Sequence, residues 1–278
     1  MREHAARKGV SGLAFRAASV FLACALFLAL LMFLENRLIF FPSRYPDGDW
    51  HPPGLKPEDA WFESADGVRL HGWYVHHPHA RGTLVFCHGN AGNLSHRADT
   101  VRLLRDRAAV SVLIFDYRGY GRSDGRPTES GVLADAAAAR QWLARREGIE
   151  PGRVIVFGES IGGAVAVDLA ATGGARALIL ESTFTSLPDV AAYHFPWLPC
   201  RWLMHIRLNS LAKIGRYHGP LLASHGDPDS VVPFPLGKRL FEAANEPKQF
   251  LRLPGYDHND PRPIEYYDTL GRFIADLP

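Results

Sequence analysis

One serine in this chain sits where a hydroxyl could do chemistry. Ser160 is the centre of "GESIG", Gly158 to Gly162, between the strand-like "RVIVF" and the helix-like "IGGAVAVDLAA". A strand that gives way at once to a helix must turn sharply. The residue at the apex takes strained backbone angles, and its neighbours two positions away must be small. Gly158 and Gly162 meet that need, and Gly163 adds room. Such a turn lifts the hydroxyl above a sheet and beside a helix N-terminus, whose free N–H groups favour anions. The chemistry this suits is nucleophilic attack on an acyl carbonyl. A second stretch, "GRSDG" from Gly121 to Gly125, has the same spacing around Ser123. There "DGRP" follows the serine, and glycine and proline oppose an immediate helix. Ser160 is therefore the expected nucleophile.

An unassisted serine attacks poorly, so a base and a group to orient it are required. On a strand–turn–helix serine of this kind the acid and then the histidine follow in the chain. The loop after "PLLASHG" reads "HGDPDSVVP" and offers Asp229, with Asp227 as the alternative that more naturally shapes the turn. Thirteen histidines are present, and His258 alone lies between the last strand-like run, "KQFLRLPG", and the last helix. Both loops follow strands on the same side as Ser160, so they can meet above it. A developing oxyanion also needs donors. The Ile161 amide, just after the serine, is one. The other belongs to "HGNAGN" after "TLVFC", with Asn90 the first choice and Ala91 the alternative. His88 in that loop is expected to order it rather than to move protons.

The elements that must position these residues alternate along the chain. "RLHGWYV", "GTLVFC", "VSVLIF", "RVIVFG", "RALILES", "GPLLASHG" and "KQFLRLPG" are short apolar runs suited to strands buried on both faces. Helix-length stretches separate them, among them "VLADAAAARQWLARR", "IGGAVAVDLAA" and "PIEYYDTLGRFIADL". This is the pattern of an α/β fold, a mostly parallel central sheet with helices on both faces. One segment, residues 183–215, is too long for a simple connection and rich in aromatics and prolines. It is expected to form an excursion, partly helical, that covers the site.

Composition limits the remaining classes. With 278 residues, 47% hydrophobic and 22% charged, the chain has material for a sizeable core. A net charge of +2 gives no broad basic field for nucleic acid. Cys24, Cys87 and Cys200 match no zinc or disulfide spacing and are expected as small buried apolar groups. The histidines of "HGWYVHHPH" (His71, His76, His77 and His79) have no convergent carboxylate for a metal, and no phosphate-cradling glycine motif occurs, so no cofactor is expected. Asp116 and Arg118 are expected to brace the loop beside the site. Ala17 to Leu34 is an uncharged run of 18 residues. As a helix it spans about 27 Å, close to a hydrocarbon core. Arg2, Arg7, Lys8 and Arg16 precede it. The organisation expected is a cytoplasmic segment 1–16, a transmembrane anchor 17–34, an interfacial segment 35–59 and a domain 60–278 on the non-cytoplasmic side. A cleaved signal followed by secretion is the rival.

Taken together, "HGNAGN", "DYRGYGRSDG", "GESIGG", "HGDPDSVVP" and "YDHND" resemble the α/β-hydrolase superfamily over residues 60–278. With "ENRLIFFPSRYP" after an apolar N-terminus, the chain is similar to its membrane-associated group, the α/β-hydrolase domain-containing proteins 13 and 17. The resemblance implies a cofactor-free serine hydrolase with Ser160, Asp229 and His258 as its triad and Asn90 and Ile161 as oxyanion donors. Two departures stand out. "GYDHND" lacks the glycine that often precedes the histidine, and the N-terminus lacks the cysteine cluster of depalmitoylating relatives. The expected substrate is a small or lipid-like acyl ester or thioester, or an acylated protein, with membrane lipid around the anchor. The rivals are a peptidase or carbon–carbon hydrolase on the same scaffold, and a non-catalytic binding scaffold.

Overall fold

The apolar runs become an eight-stranded sheet in a computed structural model. It describes the backbone of residues 2–278 and the side chains of residues 18–23 and 26–278. The side chains of the basic flank 1–16 and of Cys24 lie outside the described residues.

The chain opens with helix α1 (Arg2–Ile39), then strands β1 (Glu58–Glu63), β2 (Arg69–Val75) and β3 (Gly82–Cys87). Helix α2 (Ala98–Ala108), β4 (Val110–Phe115), α3 (Glu129–Glu147) and β5 (Ile155–Glu159) follow. Then come α4 (Ile161–Gly173), β6 (Ala177–Glu181), and α5 (Leu187–His194), α6 (Cys200–Leu203) and α7 (Leu211–Ile214) of the excursion. The chain closes with β7 (Leu221–Gly226), α8 (Phe234–Glu242), β8 (Lys248–Leu253) and α9 (Ile264–Ala275). The sheet order is β1-β2-β4-β3-β5-β6-β7-β8. All pairs from β4 to β8 are parallel, and β1 and β2 join antiparallel at one edge.

Strand side chains alternate between two cores. Val85, Leu113, Phe115 and Val156 pack with Val132, Leu143 and Val165 of α3 and α4. Leu84, Phe86, Ile114 and Phe157 pack with Leu104, Tyr266 and Leu270 of α2 and α9. Each fully buried aliphatic or phenylalanine side chain contributes about 1.5–3 kcal/mol. Both cores clamp the sheet, so loops at the strand carboxyl ends stand on a rigid base. The chain order reverses at β3, which has β4 on one side and β5 on the other. Ligands bind at such switch points.

Strand β1 was not anticipated from the sequence. Its residues alternate exposed and buried at a sheet edge, and only Ala60 and Phe62 turn inward. Helix α1 runs on past the uncharged stretch, through Glu35 to Ile39. Ala18–Ile39 is long and apolar enough to cross a membrane, and the rest of the chain covers almost none of its most apolar part. Beyond it, Phe40, Trp50 and Leu55 are buried, so this stretch packs onto the domain.

The excursion is pinned at its far end by two glutamates. Glu35 accepts hydrogen bonds from the amides of His205 (2.9 Å) and Ile206 (3.0 Å). Glu129 accepts from those of Arg207 (2.7 Å) and Leu208 (2.9 Å). These bonds tie residues 205–208 to α1 and α3 at once and satisfy N–H groups that lack regular secondary structure.

Candidate active site

Ser160 lies between β5 and α4 with φ +54° and ψ −119°. A non-glycine residue there is strained by about 1–3 kcal/mol, and the surroundings hold it. Its amide donates to the Glu181 carbonyl (2.8 Å), and its carbonyl accepts from the Thr183 hydroxyl (2.8 Å). The flanking glycines are required by close approach. A Cβ on Gly158 would stand 2.5 Å from the Gly162 carbonyl oxygen. One on Gly162 would stand 2.0 Å from that of Cys87, at the end of β3. The turn therefore packs directly on the β3 loop, and "HGNAGN" lies beside the serine.

Three side chains from three loops converge. His258 Nε2 lies 2.9 Å from Ser160 Oγ. His258 Nδ1 lies 2.8 Å from Asp229 Oδ2 and 3.1 Å from Oδ1. Asp229 Oδ1 also accepts from the amides of Val231 (3.0 Å) and Val232 (2.7 Å). Burial pushes the Asp229 carboxyl up. The His225 and His258 rings and the Val232 amide outweigh that and hold it well below the usual carboxylate range. A carboxylate ionised at neutral pH therefore faces one imidazole nitrogen, and a serine hydroxyl faces the other.

The other candidates are placed as follows. Ile161 is the first residue of α4, where an amide has no carbonyl a turn before it. Asn90 and Ala91 line the same cleft as Ser160, Ile161 and His258, a space of about 450 Å³. The Asn90 side chain is engaged elsewhere: it donates to the Ile39 carbonyl and accepts from Phe41 N (3.3 Å) and Tyr120 OH (3.0 Å). With its side-chain carbonyl oxygen and one side-chain N–H committed to the end of α1 and Tyr120, its backbone amide is the donor that faces no competing partner from that end. Asp227 lies apart from the histidine. It pairs with Arg252 (2.8 Å) and accepts from the Gly255 amide (2.7 Å), which shapes its loop. Ser123 is fully buried. Its hydroxyl donates to the Asp116 carbonyl (2.7 Å) and accepts from the His71 amide (2.9 Å).

His88 is buried, with Nδ1 against the Gly89 carbonyl (2.7 Å), and burial lowers its pKa to about 3. It is a neutral ring under the loop. Arg118 pairs with Asp135 (2.8 Å) and Asp66 (2.7 Å), and Asp116 accepts from the Leu94 amide (2.8 Å). Cys87 and Cys200 are buried and unpaired, and no group of three metal-ligating side chains occurs among the described residues. Of the clustered histidines, His71 pairs with Asp59 (2.8 Å).

Sequence reasoning missed the supports of the histidine loop. Asp257 accepts from the amides of Ser230 (2.7 Å) and His258 (2.7 Å), which clips the histidine loop to the acid loop where a glycine is more usual. Arg262 donates to Glu181 (2.9 Å) and to the carbonyls of Asp257 (3.0 Å) and His258 (3.1 Å) from below. His225 Nε2 lies 3.3 Å from Asp229 and 2.8 Å from the Val232 carbonyl. The histidine in "ASHGDPD" was the one visible signal, a second imidazole four residues before the acid.

The excursion forms part of the cleft wall. Phe184, Leu187, Val190 and Phe195 line it from one side, and Leu38 and Ile39 of α1 from another.

A family model described as the alpha/beta hydrolase fold matches residues 82–203. The chain is similar to a protein of Mycobacterium tuberculosis, 43% identical over 249 residues that cover 87% of this chain and 88% of the relative. It is 35% identical over 259 residues to the alpha/beta hydrolase domain-containing protein WAV2 of Arabidopsis thaliana, covering 84% of this chain and 83% of that protein. Among solved structures, the esterase Pf2001 of Pyrococcus furiosus shares the fold, with a TM-score of 0.70 and 22% identity over 85% of this chain and 99% of that one.

Proposed function

This chain belongs to the α/β-hydrolase family, and on that premise we propose that it is a serine hydrolase acting on carboxylic esters or thioesters with an apolar acyl group. Ser160 is the nucleophile, His258 the base and Asp229 the group that orients and supports the imidazole. Ser160 Oγ attacks the acyl carbonyl while His258 Nε2 takes its proton. The backbone amides of Ile161 and Asn90 stabilise the tetrahedral oxyanion. On collapse, the bond to the leaving oxygen or sulfur breaks and His258 returns the proton to it. A water then gives a proton to His258 and adds to the acyl-enzyme; as the bond to Ser160 Oγ breaks and the acid leaves, His258 returns that proton to Oγ. Helix α1 anchors the enzyme, with the catalytic domain on the non-cytoplasmic side as the basic flank directs.

The observation that carries this reading is the continuous contact from Asp229 through His258 to Ser160, at 2.8 and 2.9 Å. The apolar lining of the cleft, with Leu187, Val190 and Phe195, supports the choice of acyl group. The test is a panel with one acyl group as an aryl ester, a thioester and an anilide. The ester and thioester are expected to exceed the anilide in kcat/KM by about a hundredfold or more, the order of a missing oxyanion donor. Anilide turnover equal to that of the ester would replace this reading with a peptidase.

A further inference from the structure

The catalytic cleft does not end at the excursion. A second cavity of about 440 Å³ lies between α1 and the α5–α6 segment, walled by Phe27, Leu31, Trp197 and Leu203. That volume is within the usual range for small-ligand sites, roughly 300–1,000 Å³. Its walls are almost wholly apolar. Glu35 also borders it, and that carboxylate is spent on the amides of His205 and Ile206. Leu38, Ile39, Ala191, Phe195 and Met204 line both this cavity and the cleft that holds Ser160. The two spaces are therefore neighbours across one shared apolar wall.

We propose that the groove between α1 and α5–α6 admits the acyl chain of a bilayer lipid ester or thioester, which reaches Ser160 sideways from the membrane. The inference rests on the serine hydrolase reading above and names its substrate class. One wall of the groove is the helix that is long and apolar enough to cross a membrane, Ala18–Ile39. Away from the groove the helix leaves Phe21 and Phe33 exposed at 76 and 84%, a surface that needs an apolar solvent. From Phe27 to Leu38 the helix rises about 16 Å, roughly one leaflet of a 30 Å hydrocarbon core. A groove of that length along the spanning helix matches the reach of an acyl chain in the leaflet next to the domain. The excursion exposes Tyr193, Trp197 and Trp202 at 62, 75 and 89%. Tyrosine and tryptophan favour the membrane–water interface, so this segment fits at the membrane surface beside α1. The anchor also forms part of the site. The end of α1 is bonded to Asn90 in the loop assigned to the oxyanion. A chain leaving the bilayer along α1 therefore arrives beside that loop.

The test uses the full chain in phosphatidylcholine vesicles and two fluorophosphonates. One has a 16-carbon chain with a terminal photoreactive diazirine, and the other has only a short ethyl group. After the long probe reacts with Ser160, illumination is expected to crosslink its tail to residues 27–39 or 191–204, located by peptide mass spectrometry. Crosslinks confined to other parts of the protein or to vesicle lipid would overturn the path. In Leu31→Trp, the ratio of long-probe to short-probe inactivation rates is expected to fall at least tenfold, and a ratio within twofold of wild type would also overturn it. The wild-type crosslink decides the matter if that variant does not fold. A long-chain diacyl lipid ester in the vesicles is expected to slow long-probe inactivation at least fivefold. Protection by a soluble S-acylated peptide alone would assign the groove to an acylated protein and overturn the bilayer source. If neither probe labels Ser160, the serine hydrolase reading itself fails, a result distinct from labelling without groove crosslinks.

Discussion

Ser160 and Ser123 each sit between glycines two residues away, and both are nearly removed from solvent, at 8 and 0% exposure. Burial does not separate them. What each hydroxyl faces does. Ser123 spends its hydroxyl on two backbone groups, the Asp116 carbonyl and the His71 amide, and so stitches the end of β4 to β2. Ser160 faces an imidazole and a cleft. The difference begins in the chain just after each serine. Ile161 starts a helix at once, which forces the turn at Ser160 to φ +54°. After Ser123, Asp124, Gly125 and Pro127 delay the next helix to Glu129, and the turn closes on itself through Ser123 N to the Tyr120 carbonyl (2.9 Å). Identical spacing thus gives a strained, presented hydroxyl in one place and a structural one in the other.

The sharpest way to break this contrast is to remove each hydroxyl. Ser160→Ala is expected to lower ester kcat by about 10⁴–10⁶-fold, with an unchanged unfolding midpoint or a rise as the strained turn loses its polar group. Asp229→Asn comes next. It keeps the shape but unsettles the imidazole tautomer, and a loss of about 10⁴-fold in kcat is expected. Steady-state kinetics on one ester check both. Ser123→Ala is expected to behave in the opposite sense. It leaves two buried backbone groups without a partner and should cost about 1–3 kcal/mol by denaturant titration, while kcat per folded molecule stays within a few-fold of wild type.

The smallest effect concerns Asp116, whose carbonyl receives the Ser123 bond. Burial pushes its carboxyl up from 3.8 to about 8, against the amides of Leu94 and Arg122. As pH rises past 4 the unfolded chain releases this proton, whereas the folded chain holds it until about 8. The folded state therefore binds more protons in that window, and this contribution to stability is fully present below 3.8 and lost as pH climbs through about 8. Asp116→Asn removes the titration. The stability of wild type relative to this variant is expected to fall between pH 4 and pH 8 by at least about 1 kcal/mol, one pKa unit being about 1.4. A difference independent of pH would contradict a buried, protonated Asp116.

The parallel strands from β3 to β8 were legible because apolar runs bounded by glycine or polar residues mark strands closed in by helices. That Ser160, Asp229 and His258 would meet was legible because each follows such a strand and the order acid then histidine limits the choice. The edge strand β1 was not, since "EDAWFE" buries only two side chains and looks like surface. The pins of the excursion were also hidden. Glu35 and Glu129 meet the amides of residues 205–208 across 170 and 78 positions of chain, and no local spacing encodes such a contact. Asp257 appeared only as a departure where a glycine was expected, and its clip to Ser230 is the reason it fits. Asn90 was anticipated as a donor, but that its side chain would be taken up by the end of α1 could not be read from "HGNAGN".

The most direct measurement is to treat the folded chain with a fluorophosphonate and locate the adduct by peptide mass spectrometry. The account predicts one adduct, on Ser160, in wild type and in Ser123→Ala, and none in Ser160→Ala. An adduct on Ser123 or another residue, or no adduct on a folded wild-type chain, would contradict it.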